Sequence, residues 1–323
     1  MTSKGKSVLV TGAAGFIGSH LVEELVRNGS TVIGFDVFDD YYDPALKERN
    51  LAEVQDSDIF HLVRGDIRDK DLVSKTFNEW DIGTVVHLAA MVGVRNSMTN
   101  PDLYTSVNVG GTGVILEVSF KQDIDKFILA SSSSVYGDRE VVPFRETDFT
   151  DTPGSIYAAT KKAAEVLSFS YHRLYGIPTA CLRFFTVYGP RGRPDQAPLK
   201  FIHRISNDMP IQQYGDGNSS RDYTYVTDIV SGIVGAIEAV YEYEIFNLGN
   251  STPVKLIDFI KALEIQIGKA ANIEKLSNQP GDVFQTLADI GKSKKMLGYE
   301  PKVTLNEGLK RMIQWYNETR PSL

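Results

Sequence analysis

The segment Thr11-Gly12-Ala13-Ala14-Gly15-Phe16-Ile17-Gly18 constrains this chain more than any other. It stands between an apolar run, Val8-Leu9-Val10, and a stretch over 16–28 whose apolar residues recur at helical spacing. A strand that turns at once into a helix needs glycines where the backbone reverses and where the helix packs back on the strand. The same turn lets main-chain N–H groups approach an anion at the helix N-terminus, where unpaired donors and the helix dipole favour negative charge. In a strand–turn–helix, the expected anion is a pyrophosphate.

Strand-like runs recur at 31–35, 60–63, 84–88, 126–130 and 179–183, with helical stretches near 69–79, 101–121 and 154–175 between them. Continuous apolar strands alternating with helices predict a parallel sheet covered on both faces. Past about Phe184 the alternation loosens, and glycine, proline and charged residues cluster at 189–198 and 214–222. Helical spacing returns near 196–207, 226–241, 255–267 and 304–318, while 244–248 reads as one more strand of the main sheet. The later region is therefore expected to interleave with the first. The expected division is 1–183 with about 226–250, against 184–225 with 251–323.

Composition narrows the setting. The net charge of −7 comes without a basic block, which argues against nucleic acid and anionic membrane surfaces as partners. The single cysteine, Cys181, lies in an apolar run and is expected as a buried core thiol, so no disulfide framework is possible. No apolar run approaches a membrane span, and the N-terminus leads straight into a strand, so a cytoplasmic protein is expected. Five histidines show no metal-ligand spacing, so no metal is expected, and His87 and His203 are read as structural.

Asp36 ends the second strand, eighteen residues after Gly18. A carboxylate there accepts from adenosine ribose hydroxyls and repels a 2′-phosphate, and Val37 and Phe38 follow it, so NAD is favoured over NADP. Asp66 and Ile67, after the third strand, are expected along the adenine. Leu88, Ala89 and Ala90, after the fourth, would leave room for the cofactor. Tyr157 and Lys161 lie four residues apart on a helical stretch and so share one face. A lysine beside a tyrosine favours the phenolate, and a tyrosine tuned toward neutrality can take a proton from an alcohol. Ser131–Ser134 follow the fifth strand, where strand ends line the ligand crevice, and a serine there can hydrogen-bond the reacting hydroxyl.

Taken together, these motifs resemble the extended short-chain dehydrogenase/reductase family over nearly the whole chain. Ser134-Val135-Tyr136-Gly137 and Arg183 through Pro190 resemble its nucleotide-sugar epimerase branch, as do Arg221 through Val226 and Pro280 through Val283. The resemblance implies an α/β fold: a Rossmann-type doubly wound parallel sheet with a smaller, interleaved α/β substrate-binding domain. It implies NAD held by Gly12, Gly15, Phe16, Ile17, Gly18, Asp36 and Asn108. Tyr157 would be the base, Lys161 would hold the nicotinamide ribose, and Ser132 would assist. The substrate would be a UDP-sugar, with Arg221 at the diphosphate and Asp282 at a ribose hydroxyl. Tyr214, within 211–215, would border the uracil together with 195–201, and Ser134 and Arg95 would contact the sugar.

Two departures narrow the chemistry. Positions 133 and 134 are serines where the dehydratases and decarboxylases of the branch carry an acid, which disfavours dehydration and decarboxylation. Thr186 with Arg193 resembles the UDP-glucuronate 4-epimerase pattern, in which a guanidinium meets a C6 carboxylate with two parallel hydrogen bonds. The expected activity is therefore 4-epimerisation of a UDP-hexuronate. The alternatives are a 4-epimerase of UDP-glucose or a UDP-N-acetylhexosamine, a UDP-glucuronate decarboxylase, or a non-catalytic NAD-binding regulator. A pairing of Arg193 with Asp195 is the competing structural role for that arginine. In this family the helices at 101–121 and 154–175 pair with a second subunit, so a homodimer is expected.

Overall fold

The apolar runs become strands of a single parallel sheet. The structure is a computed structural model that describes residues 5–277 and 283–321. The chain begins β1 (Ser7–Thr11), α1 (Phe16–Arg27), β2 (Val32–Asp36), α2 (Pro44–Asn50), β3 (Phe60–Arg64), α3 (Lys70–Glu79), β4 (Ile82–His87) and α4 (Val94–Thr99). A long helix follows in three stretches: α5 (Pro101–Tyr104), a π-helical segment (Thr105–Gly111) and α6 (Thr112–Lys121). Then come β5 (Lys126–Ser132), a 3₁₀ turn (Ser133–Tyr136), α7 (Ile156–Tyr175) and β6 (Thr179–Phe184). The remainder holds β7 (Thr186–Tyr188), α8 (Ala197–Ser206), β8 (Ile211–Tyr214), β9 (Ser220–Tyr225), α9 (Val226–Glu238) and β10 (Tyr243–Leu248). It closes with β11 (Pro253–Lys255), α10 (Leu256–Ile267), β12 (Ile273–Leu276), α11 (Gly291–Leu297) and α12 (Leu305–Thr319).

The seven-stranded sheet has the order β10-β6-β5-β4-β1-β2-β3, with every pairing parallel. This is the doubly wound arrangement: the chain reverses direction between β1 and β4, and the crevice at that reversal is where such folds take ligands. Both faces are apolar because the strands are buried on both sides. In β1, Val8 and Val10 enter one core and Leu9 the other; in β5, Ile128 and Ala130 oppose Phe127 and Leu129. The last strand, Tyr243–Leu248, completes the sheet beside β6, so the later region is interleaved. Its own strands form a small mixed sheet, β11-β9-β7, and a two-stranded pair, β12-β8. Among the described residues, no helix is long and apolar enough to cross a membrane.

The helix expected over 101–121 is interrupted by the π segment. The wider turn carries Asn108, whose amide bonds both backbone groups of Met91 in the loop after β4 (2.7 and 2.9 Å). Gly111 allows close approach there, since a Cβ would lie 2.5 Å from Ile67 Cδ1.

Beneath the end of β5 lies a buried ion pair. Glu165 of α7 accepts from Arg183 Nε and Nη2, both at 2.9 Å, and from the Ser131 hydroxyl at 2.6 Å. Both charged side chains are almost wholly enclosed. Removing one partner of such a pair leaves an uncompensated buried charge, so Glu165→Gln is expected to cost about 3–5 kcal/mol of stability. Denaturant unfolding at neutral pH measures this, and an unchanged midpoint would show the pair to be dispensable.

Candidate active site

The strand ends open into a cavity of about 680 Å³ running from the glycine turn to the loop before α8. Gly12, Gly15, Phe16, Ile17 and Gly18 form one end of it. Gly12 has φ +71°, and a Cβ on Gly18 would sit 2.0 Å from the Gly12 carbonyl oxygen. Helix α1 therefore returns so closely to the turn that only glycine fits. No side chain caps its first turn, so the early N–H groups are available to an anion. This cradle suits a dinucleotide's pyrophosphate.

Asp36 lines the cavity beyond the turn. Its carboxylate accepts from Ala14 N (3.0 Å) and Phe38 N (2.8 Å), which fixes it beside the turn. Burial raises its pKa, while the Phe38 N–H, Lys47 and the Ala14 N–H oppose that rise. Lys47 also lines this end and is bonded to Asp39 through its backbone and carboxylate oxygens, both at 2.8 Å. It had no sequence signal, being eleven residues beyond Asp36 on a short helix that the periodicity does not mark. Asp66, Ile67, Leu88, Ala89 and Ala90 all lie on the wall, with Asp66 held low in pKa chiefly by its hydrogen bonds from Arg68.

Asn108 is absent from the described lining. Its amide is turned to the Met91 backbone and to the Thr160 hydroxyl (3.0 Å), so it shapes the wall from behind. His87 also acts from behind. Its Nδ1 meets Thr11 Oγ1 at 2.7 Å and its Nε2 meets Thr112 Oγ1 at 3.0 Å. Because the Thr112 hydroxyl donates to Asn108 O, it must accept from His87, which assigns the ring proton to Nε2. The histidine thus ties β4 to β1 and α6, in keeping with a structural role.

Tyr157, Lys161, Ser132 and Ser134 face the middle of the cavity. Helix α7 begins correctly placed because the Ser155 hydroxyl caps Ala158 N (3.1 Å) and the Ser97 hydroxyl of α4 accepts from Tyr157 N (3.1 Å). Ser132 starts the 3₁₀ turn, with its hydroxyl accepting from Ser134 N at 3.1 Å. Burial pushes the Tyr157 phenol up, and the Ser132 hydroxyl and the Arg193 charge oppose it. Lys161 donates to Ala130 O at 2.8 Å, and burial lowers it to about 8 against the pull of Glu165.

Thr186, at the start of β7, and Arg193 line the far end of the cavity. Arg193 does pair with Asp195, through Nε at 2.9 Å and Nη2 at 2.6 Å, and it faces the cavity as well. The pairing with Asp195 therefore does not remove Arg193 from the cavity wall. Tyr41, which carried no sequence signal, donates to Asp195 at 3.1 Å from the loop after β2. Arg95, Tyr214 and Arg221 fall outside the described lining. The Arg95 guanidinium lies 4.3 Å from the Tyr214 ring, and Arg221 donates to the Ser220 and Phe284 carbonyls. Asp282 lies outside the described residues.

The cleft thus defines an α/β protein with a dinucleotide cradle, a tyrosine–lysine pair and a serine at one strand end. The chain belongs to the family described as GDP-mannose 4,6 dehydratase, whose model matches residues 9–312, within the extended short-chain dehydrogenases/reductases. Its relatives are more particular. It is 46% identical to an uncharacterized protein of Methanocaldococcus jannaschii, covering 98% of each chain. It is 43% identical to a UDP-glucuronate 4-epimerase of Thermodesulfobacterium geofontis, covering 96% of each. The solved UDP-glucuronic acid 4-epimerase of Bacillus cereus, in complex with UDP-glucuronic acid and NAD, superposes with a TM-score of 0.92 at 38% identity, over 97% of this chain and 99% of that one.

The pKa of His87 yields a prediction. Burial lowers the imidazole from 6.5 to about 3, so in that window the unfolded chain binds a proton that the folded chain does not. Stability should fall as pH is lowered from about 6.5 toward about 3. Denaturant unfolding across that window should show a shallower acid slope for His87→Gln than for the unsubstituted protein. Some slope will persist, because burial and Arg191 also lower His20, to about 4.

Proposed function

We propose that this chain is an NAD-dependent 4-epimerase of a UDP-hexuronate, interconverting UDP-glucuronate and UDP-galacturonate. The observation that carries this reading is one cavity presenting the glycine cradle, Tyr157 with Ser132, and the Arg193 guanidinium in sequence. The similarity to UDP-glucuronate 4-epimerases over the whole chain supports it.

When bound, NAD⁺ would accept a hydride from the sugar's C4 and, once reduced, return it to the opposite face. Tyr157 takes the proton of the C4 hydroxyl and returns it to that oxygen when the 4-keto group is reduced, and Ser132 donates a hydrogen bond to the same oxygen. Lys161, charged below about 8 and one helical turn from Tyr157, adds positive charge that favours the phenolate. Thr186 and Arg193 hold the C6 carboxylate in both orientations of the sugar. That grip matters because the 4-keto uronate is a β-keto acid, and fixing its carboxylate opposes loss of CO₂. Positions 133 and 134 offer hydroxyls to the cavity, which suits reversible oxidation better than elimination.

We also assign residues 1–183 with about 226–250 to cofactor binding, and 184–225 with 251–323 to the nucleotide sugar. A cytoplasmic setting fits Cys181, a buried thiol whose pKa burial pushes up. A homodimer through α6 and α7 is supported by exposed Phe120, Val166, Phe169, Leu174 and Tyr175 on those helices. Sedimentation should give twice the mass of one chain, and Phe169→Glu should shift it toward one.

With purified protein, NAD⁺ and UDP-glucuronate, NMR should show UDP-galacturonate accumulating to an equilibrium mixture. UDP-xylose as the main product, or no turnover, would contradict the reading. Tyr157→Phe should lower kcat by about 10²–10⁴ while cofactor binding persists.

A further inference from the structure

The uronate reading leaves Arg193 with more structure around it than a carboxylate contact needs. A guanidinium offers two edges that each match a carboxylate. Asp195 occupies one of them, taking Nε at 2.9 Å and Nη2 at 2.6 Å. Nη1 makes no hydrogen bond among the described residues, and the side chain lines the cavity. Arg193 and Asp195 are two residues apart, so by themselves they could swing as one unit on their loop. Tyr41 anchors them: its hydroxyl donates to Asp195 Oδ2 at 3.1 Å across 154 residues of sequence. Its ring lies 5.9 Å from the guanidinium carbon. Gly93 completes the enclosure, since a Cβ there would meet the Tyr41 hydroxyl at 3.0 Å and Arg193 Nη2 at 3.8 Å.

We infer that Asp195, tied to the loop after β2 by Tyr41, is a positioning residue that sets specificity for a C6 carboxylate by holding one edge of Arg193 and presenting the other to the sugar. This rests on the assignment of Arg193 to that carboxylate. A neutral C6 hydroxymethyl group has no use for a second guanidinium edge, so Asp195 should matter to uronates alone. The Tyr41 contact also means that the loop beside Asp36 is mechanically linked to the sugar end of the cavity.

The test is binding by calorimetry to the NAD-loaded protein, with UDP-glucuronate and UDP-glucose as probes. The unsubstituted protein should prefer UDP-glucuronate. Asp195→Asn should weaken UDP-glucuronate about a hundredfold, the scale of one lost hydrogen bond between charged groups, and leave UDP-glucose unchanged. The rise should appear in KM more than in kcat, and Asp195→Glu should recover part of it. Tyr41→Phe should act in the same direction to a smaller extent, and it serves if Asp195→Asn does not fold. A preference that survives Asp195→Asn overturns this inference alone, as does an equal loss for both ligands. An unsubstituted protein with no preference for the uronate overturns the functional reading and this inference with it.

Discussion

The site depends on how closely α1 returns to the end of β1. A single methyl group at Gly18 would place a carbon 2.0 Å from the Gly12 carbonyl, a contact no backbone can relieve by local adjustment. The closeness aims the uncapped first turn of α1 into the crevice beside β4, where the direction of strand succession reverses. His87 reinforces it by spanning β4, β1 and α6 with two hydrogen bonds in a buried setting. Apolar packing on both faces of the sheet then holds these strand ends in one plane, and the remaining functional groups are hung from them.

Burial and charge are balanced against each other at those groups. Enclosure pushes Tyr157 up and Lys161 down, so both are driven toward their neutral forms. Glu165 opposes this at Lys161, and Arg193 opposes it at Tyr157. Each of these two is itself neutralised by a partner, Arg183 for Glu165 and Asp195 for Arg193. Tyr157 and Lys161 therefore sit between two ion pairs, one beneath the sheet end and one at the Arg193 end of the cavity. A bound cation or anion near Tyr157 would have a large effect in such surroundings, because little solvent screens it.

Much of this was legible in the sequence for local reasons. Continuous apolar runs announced the sheet strands, and the glycine spacing, Asp36, Ser132, Tyr157 and Lys161 all lie at strand ends or on a helix with clear periodicity. The cavity lining includes each of them. What escaped depends on contacts distant in sequence. Strands β7, β8, β9, β11 and β12 are three to six residues long and exist through pairing with one another. The π segment has no periodic signature, and its reason is an Asn108 side chain reaching the loop after β4. Tyr41 and Lys47 reach the site from a loop and a one-to-two-turn helix that no apolar pattern marks. Arg95, Tyr214 and Arg221 were drawn from motifs rather than geometry, and they lie outside the described lining.

The central claim is that hydrogen leaves C4 and returns to the same carbon within one enclosed site. UDP-glucuronate labelled with deuterium at C4, turned over in ordinary water, tests it directly. Retention of the deuterium at C4 of the UDP-galacturonate formed is the predicted result. Its replacement by solvent hydrogen, or its appearance only at another carbon, would contradict the account.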